Sequence, residues 1–353
     1  MKSEKSFSHI FSNKYDSYAK QKKGENMKLG TVGTGFIAQE VIPQLRSWGI
    51  VPNAIAGTPR SIDEVKKLCE ENDIQGAYDD YDVMLNEGDI DTVYVAVPNF
   101  LHYAFVRQAL LAGKNVIVEK PMTSNYREAL ELAELAKEKG LFLFEAITTV
   151  YLPNFAKIKE LLPLIGDIKI VNVNYSQYSR RYEEFKKGNV LPAFDPKKSG
   201  GALMDLNLYN LHYILGLFGE PKNVKYYPNI ERDIDTSGIL ILDYDRFRAV
   251  SIAAKDCAAP ASYIIQGTEG YIRQTTPANS CCEITLHMND GTQTTYNEEP
   301  ASRLEPEFRA FAKAISEGNL NMCYEMLDHS LAVSKVQTMA RVEAGIHFPA
   351  DDK

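Results

Sequence analysis

Lys28-Leu29-Gly30-Thr31-Val32-Gly33-Thr34-Gly35-Phe36-Ile37-Ala38 is the stretch that decides the fold. Five residues of strand character run into Gly33-x-Gly35-x-x-Ala38, and a helix-forming segment to Trp48 follows. In this pattern Gly33 permits a tight turn, Gly35 lets backbone approach a pyrophosphate, and Ala38 allows close packing of helix on strand. The phosphate charge then meets the start of the helix. A glycine fingerprint carries weight when it follows a strand and opens a helix, which is its setting here. Gly33, Thr34, Gly35, Phe36 and Ile37 are therefore expected to hold a dinucleotide.

The same alternation continues to Ala146. Strands are expected over 52–56, 92–97, 115–118 and 141–145, and helices over 62–71 and 101–112. Asn125 and Glu128 have the spacing of a capping box opening a further helix to 139. Repeated βα units imply an α/β fold with a doubly wound parallel sheet, the dinucleotide-binding domain of residues 27–146. The pattern then changes. A helix over 153–162, a long strand over 167–179, a loop over 180–199 and a helix over 203–217 precede strand-like segments across 224–296. Two helices, 305–316 and 324–344, close the chain. Residues 147–353 therefore read as an α+β domain with a mostly antiparallel sheet. Residues 1–26 are polar, lack a signal peptide's apolar stretch, and read as a disordered extension.

Composition narrows the function. With 353 residues, 44% hydrophobic and 24% charged, the chain has material for two sizeable cores. The net charge is −8 and no basic block follows residue 26, which argues against nucleic acid. No apolar run approaches a membrane span. The five cysteines form no Cys-x-x-Cys pair and suit reduced thiols in a cytoplasm, with Cys281 and Cys282 read as strand residues. The six histidines show no zinc spacing, so no metal is expected.

Four further segments carry chemistry. After the second strand stands Ala56-Gly57-Thr58-Pro59-Arg60-Ser61. An NAD site wants an Asp or Glu there for the ribose 2′-hydroxyl; Thr58, Arg60 and Ser61 instead suit a 2′-phosphate, favouring NADP over NAD. In Val97-Pro98-Asn99-Phe100-Leu101-His102, Asn99 is placed to cap the next helix and His102 to sit in its first turn, near the nicotinamide; a purely structural role for both is the alternative. Glu119-Lys120-Pro121 puts an ammonium at the carboxyl end of a parallel strand, where it can bond a substrate oxygen. In the predicted 203–217 helix, Asp205, Tyr209 and His212 follow i, i+4, i+7 spacing and share one face, while Met204, Leu208, Leu211 and Leu215 form the other. A solvated polar stripe is the alternative reading. A Lys120 cation beside Tyr209 is expected to lower the phenol's pKa from its ordinary value near 10.

Taken together, Gly33-x-Gly35, Val97-Pro98-Asn99-x-x-His102, Glu119-Lys120-Pro121 and Gly200-Gly201-x-x-x-Asp205-x-x-x-Tyr209 resemble the glucose–fructose oxidoreductase / inositol dehydrogenase / rhizopine catabolism (Gfo/Idh/MocA) family. Tyr209, where many members carry His, is similar to the dimeric dihydrodiol dehydrogenase and NADP-dependent D-xylose dehydrogenase branch. Glu145-Ala146, Gly267-Thr268-x-Gly270 and Gly345-Ile346-His347-Phe348-Pro349 are similar to that branch as well. The chain departs from it at Ile147-Thr148-Thr149-Val150-Tyr151, where an aromatic and an Arg are usual, and at Asn207. The resemblance implies a Rossmann domain followed by an open-sheeted domain that binds substrate and forms a homodimer or homotetramer, with the last helices able to pack back on the first domain. It implies a dehydrogenase moving a hydride between NADP(H) and a CH–OH/C=O group of a small-molecule sugar, polyol or vicinal diol. Pro98, Asn99, His102, Glu119 and Lys120 would then contact the cofactor. Lys120 would polarise the reacting oxygen, Tyr209 act as general acid/base, and Asp205, with His212, position the substrate. Two other activities stay open at this point: a sugar-active glycosidase or epimerase that retains NAD and oxidises transiently, and a non-catalytic NADP-sensing protein.

Overall fold

Runs of β-branched and apolar residues in the first half line up as a sheet buried on both faces. The computed structural model describes residues 26–352, so the extension expected over 1–26 lies, apart from Asn26, outside the described residues. The strands are β1 (Lys28–Val32), β2 (Val51–Ala56), β3 (Gly76–Tyr78), β4 (Thr92–Val95), β5 (Asn115–Glu119) and β6 (Leu143–Ala146). They pair in parallel in the order β3-β2-β1-β4-β5-β6. This is the doubly wound order, and the crevice opens where it reverses, beyond the carboxyl ends of β1 and β4. The intervening helices are α1 (Phe36–Val41), α2 (Ile62–Glu71), α3 (Tyr81–Glu87), α4 (His102–Leu111) and α5 (Tyr126–Lys139). A 3₁₀ segment, Ile42–Trp48, continues α1.

Sequence reading missed β3 and α3. Both are short, and α3 is opened by Asp80, whose carboxylate accepts from the Asp82 and Val83 N–H groups at 2.8 and 3.2 Å. At α5 the Asn125 side chain accepts from Glu128 N–H at 3.0 Å, while the Glu128 carboxylate accepts from Ser124 N–H at 3.1 Å, one residue before the usual capping-box partner.

The second half contains α6 (Pro153–Leu161), β7 (Ile168–Ser176), α7 (Arg180–Lys186), α8 (Ala202–Asp205), α9 (Asn207–Phe218) and β8 (Asn223–Glu231). β9 (Ile234–Asp243), β10 (Arg248–Ala254), β11 (Ser262–Gly267), β12 (Gly270–Gln274), β13 (Ile284–Met288) and β14 (Gln293–Tyr296) follow. The sheet order is β14-β13-β12-β11-β7-β10-β9-β8, antiparallel except for the parallel β7–β10 pair. Val171, Val173 and Tyr175 of β7 face inward, whereas Ile170 and Asn172 face out, so one face packs on α9 and the other is open.

Two expectations need correction here. Residues 180–199 are not a plain loop. Ser179 caps α7, Lys186 and Lys187 pair with Glu183 and Glu184, and Phe185 is buried as an anchor. Two 3₁₀ turns, Pro192–Phe194 and Pro196–Lys198, follow. The single helix expected over 203–217 is broken at Leu206 into α8 and α9. Asp205 ends α8 among lysines, while Asn207 turns inward and accepts from the Ser251 hydroxyl.

The chain ends on α10 (Glu305–Glu317) and α11 (Leu320–Glu343), the latter starting four residues earlier than the sequence suggested because Asn319 caps Met322 N–H at 3.1 Å. Phe308 and Phe311 of α10 pack into the first core, 5.3 Å from Trp48 and 4.6 Å from Phe144 between ring centres. Cys323 and Leu327 of α11 join that core, whereas Val333, Val336 and Ala340 join the second. Arg341, 1% exposed, binds Asp351 through two contacts of 2.7 and 2.8 Å and lies 4.0 Å from the Phe348 ring centre. Asp351→Ala would strand that guanidinium; we expect a loss of about 3 kcal/mol in urea unfolding, and a loss below about 1 kcal/mol would refute the anchoring role.

Candidate active site

The glycine turn is shaped by two different constraints. Gly33 has φ +106°, and a Cβ there would lie 2.4 Å from the Ala96 carbonyl oxygen. Gly35, extended at φ −67° and ψ 177°, would direct a Cβ into open space, with nothing within 4 Å. The absent side chain leaves the cradle that a diphosphate needs. Thr34 Oγ1 and Gln39 Nε2 donate to the two oxygens of Glu64 at 2.7 and 2.9 Å, tying the turn to α2.

A cleft of about 770 Å³ runs from this turn to α8 and α9. It is lined by Gly33, Thr34, Gly35, Phe36, Ile37, Thr58, Pro98, Asn99, His102, Glu119, Lys120, Asp205 and Tyr209, together with Ser61. Arg60 is the exception among the expected cofactor residues. Thr58 N–H donates to Ser61 Oγ at 2.9 Å, and the turn puts both hydroxyls at the cleft and Arg60 out in solvent. Asn99 is no helix cap. Its Nδ2 donates to the Ser199 carbonyl at 3.1 Å, joining the two halves across the cleft. His102 is wholly buried, with Nδ1 and Nε2 each 2.8 Å from a carbonyl oxygen, those of Pro121 and Val97. It clasps two cleft-lining turns and has no nitrogen left for a ligand.

β5 delivers Glu119 and Lys120 to the crevice floor, and the Lys120–Pro121 peptide bond is cis. The Tyr94 hydroxyl donates to Glu119 at 2.5 Å, and burial pushes the Glu119 carboxyl above its ordinary pKa. Lys120 Nζ lies 3.0 Å from Asp205 Oδ1 and 4.7 Å from the Tyr209 ring centre. The amine, the carboxylate and the phenol thus converge, although Lys120 and Asp205 are 85 residues apart in sequence.

Burial disfavours the charge on Lys120, but Tyr209 and Asp205 outweigh it and hold the pKa above the ordinary lysine value. Burial also opposes the Asp205 charge, and there Lys255 and Lys120 prevail, holding the carboxyl well below its usual range. For Tyr209 the balance falls the other way. Burial raises the pKa more than Lys120 lowers it, so the expected net depression is not found and the resting side chain is a neutral phenol.

His212 is not on the substrate face. It is fully buried outside the cleft lining, with Nδ1 3.0 Å from His329 Nε2 and Nε2 3.4 Å from Glu145 Oε2. The break at Leu206 voids the i+7 argument that placed it beside Asp205. Lys255 was missed. Its Nζ sits 2.9 Å from Asp205 Oδ2, with the side chain 3% exposed. The available signal was the one that singled out Lys120: a lysine directly after an apolar strand end, here Ala253-Ala254. Among the described residues no group of three or more His, Cys, Asp or Glu could hold a metal, and no helix is long and apolar enough to cross a membrane.

The chain is 34% identical over 302 residues to scyllo-inositol 2-dehydrogenase (NADP(+)) IolU of Bacillus subtilis, covering 83% of this chain and 89% of that protein. D-xylose 1-dehydrogenase (NADP(+)) 2 of Haloferax volcanii is 27% identical over 88% of this chain and 94% of its own length. The fold matches that of KijD10, a 3-ketoreductase from Actinomadura kijaniata solved with NADP and TDP-benzene, at a TM-score of 0.79 and 22% identity, covering 90% of this chain and 98% of that one. Residues 27–147 match the oxidoreductase family with an NAD-binding Rossmann fold, and residues 155–273 the GFO/IDH/MocA C-terminal domain. The chain is therefore a member of the GFO/IDH/MocA oxidoreductase family.

Proposed function

We propose that the protein is an NADP(H)-dependent dehydrogenase acting on a CH–OH/C=O group of a sugar, polyol or vicinal diol, with Lys120, Asp205 and Tyr209 as its working residues. The convergence of those three side chains on one wall of the nucleotide cleft carries the reading. A bound nicotinamide supplies the hydride acceptor for alcohol oxidation and the donor for carbonyl reduction. Gly33 to Ile37 would receive the diphosphate. β2 ends in Ala56 with no acid to bond a 2′-hydroxyl, and the Thr58 and Ser61 hydroxyls are free of that conflict with a 2′-phosphate. IolU and the Haloferax enzyme both use NADP(+) by name.

Lys120 keeps its proton and donates a charge-assisted hydrogen bond to the substrate oxygen, stabilising the negative charge that grows there. Tyr209 gives that oxygen a proton in reduction and removes it in oxidation. Asp205, permanently ionised, orients Lys120 and can accept from a neighbouring substrate hydroxyl. Because the resting phenol is neutral, reduction needs no prior ionisation, whereas oxidation should accelerate as pH rises. We also propose a cytoplasmic homo-oligomer joined through the open sheet face, on which Ile170, Tyr227, Ile239 and Tyr271 are 39–52% exposed.

The test is a paired titration of NADP(H) and NAD(H) by fluorescence quenching, followed by an inositol, aldose and diol screen with the preferred form. We expect at least about tenfold tighter binding of NADP(H), roughly 1.4 kcal/mol. Equal affinities would overturn the cofactor assignment, and no turnover across the panel would overturn the substrate class.

A further inference from the structure

Asp205 carries two ammonium groups rather than one. Lys120 takes Oδ1 at 3.0 Å and Lys255 takes Oδ2 at 2.9 Å. Lys255 lies behind the cleft lining, with its side chain 3% exposed. Its Nζ also donates to the Ala193 carbonyl at 2.7 Å and sits 4.5 Å from the Phe194 ring centre. The same Ala193 carbonyl accepts from Gly201 N–H at 3.1 Å, and Ser179 N–H donates to the Lys255 carbonyl at 2.9 Å. A buried lysine is thus knotted into the strand end of β10, the cleft-lining 191–193 segment and the turn that opens α8.

We propose that Lys255 is a positioning residue that engages one oxygen of Asp205 and so prevents that carboxylate from fully neutralising Lys120. Two ammonium groups share one carboxylate, so Lys120 is only partly neutralised where it faces the reacting oxygen and Tyr209. This deepens the proposed function and rests on its assignment of Lys120 and Tyr209. Two other charged groups face Tyr209. Glu119 accepts from the Tyr94 hydroxyl at 2.5 Å, and Arg303 is engaged by Glu40 at 3.0 Å. Asp235 faces Lys255 too, and its Oδ2 accepts from both Leu203 N–H and the Tyr226 hydroxyl at 2.6 and 2.8 Å. With Lys255 removed, Asp205 and Lys120 form a closed one-to-one pair. The Lys120 cation that favours the Tyr209 phenolate is then more fully neutralised, and the oxidation limb must move to higher pH.

The experiment compares Lys255→Met, Lys255→Arg and the double variant Asp205→Asn/Lys255→Met by steady-state oxidation across pH, with cofactor titration as the check on folding. Lys255→Met should lower kcat about 10²-fold, with KM and cofactor affinity nearly unchanged, and raise the oxidation limb by about one pH unit. Lys255→Arg should restore most of the rate and the position of the limb. On an Asp205→Asn background the Met substitution should have little further effect, because the residue acts through that carboxylate. If Lys255→Met does not fold, Lys255→Gln carries the same expectations. An unmoved limb, or Arg no better than Met, overturns the proposal. Tyr209→Phe that keeps wild-type turnover overturns the underlying assignment instead, so the two failures are told apart.

Discussion

Tyr209→Phe is expected to lower turnover about 10²- to 10⁴-fold while leaving cofactor affinity within about twofold. The ring lies at the cleft wall, 6.0 Å from Tyr175 and 4.7 Å below the Lys120 ammonium, and only its hydroxyl is removed. Packing should survive, so the loss reports proton transfer rather than collapse. Lys120→Met should cost as much by a different route. It removes the donor to the substrate oxygen and leaves Asp205, already bound to Lys255, without its second ammonium. The two variants separate in their pH behaviour. Tyr209→Phe should abolish the rise of oxidation rate with pH, whereas Lys120→Met should keep the rise and displace it upward, because the cation that favours phenolate is gone. Stopped-flow and steady-state rates across pH, with a confirmed substrate, decide it. Near wild-type rates in both variants would discard the assignment.

Gly35→Val should abolish cofactor binding in a protein that remains folded. A Cβ at this position meets nothing of the protein within 4 Å, and its backbone is extended, which any residue adopts. The added side chain therefore fills space that the diphosphate requires, and titration with NADP(H) should show affinity weakened by at least about 10²-fold with little change in melting temperature. Gly33→Ala should do the reverse. Its φ of +106° and the 2.4 Å approach to the Ala96 carbonyl make the substitution a folding lesion. We expect a loss of about 2 kcal/mol or more, seen in denaturant unfolding before any ligand is added. Equal effects of the two substitutions on stability would show that the turn is not partitioned in this way.

The parts of the molecule legible in the sequence were those governed by local chemistry. Gly33 and Gly35 announced a turn, Asn125 an N-cap, and the apolar runs over 92–97 and 115–118 two buried parallel strands, found as Thr92–Val95 and Asn115–Glu119. Lys120, Asp205 and Tyr209 were visible as residue types at telling positions, and the fold does bring them together. What escaped was set by tertiary forces. Helical spacing could not foresee the break at Leu206, because the pull of two lysines on Asp205 and of Ser251 on Asn207 comes from strands elsewhere in the chain. His212 was misplaced for that reason. Arg60 stands exposed outside the cleft lining, in a turn closed by a hydrogen bond between Thr58 and Ser61. The Tyr209 pKa went against expectation because burial, a property of the whole wall, exceeds the influence of one neighbouring cation.

α10 and α11 also bear on how the polypeptide is made. Phe308, Phe311, Cys323 and Leu327 complete the core around the six-stranded sheet, yet they lie beyond the entire eight-stranded one in sequence. Domains generally fold as units, amino-terminal first, while the chain is still being synthesised. Here the leading half leaves the ribosome with its hydrophobic interior unfinished and waits for the last helices to emerge. Its maturation is necessarily a late event, and a nascent chain stalled short of α10 would present that unfilled apolar surface to chaperones.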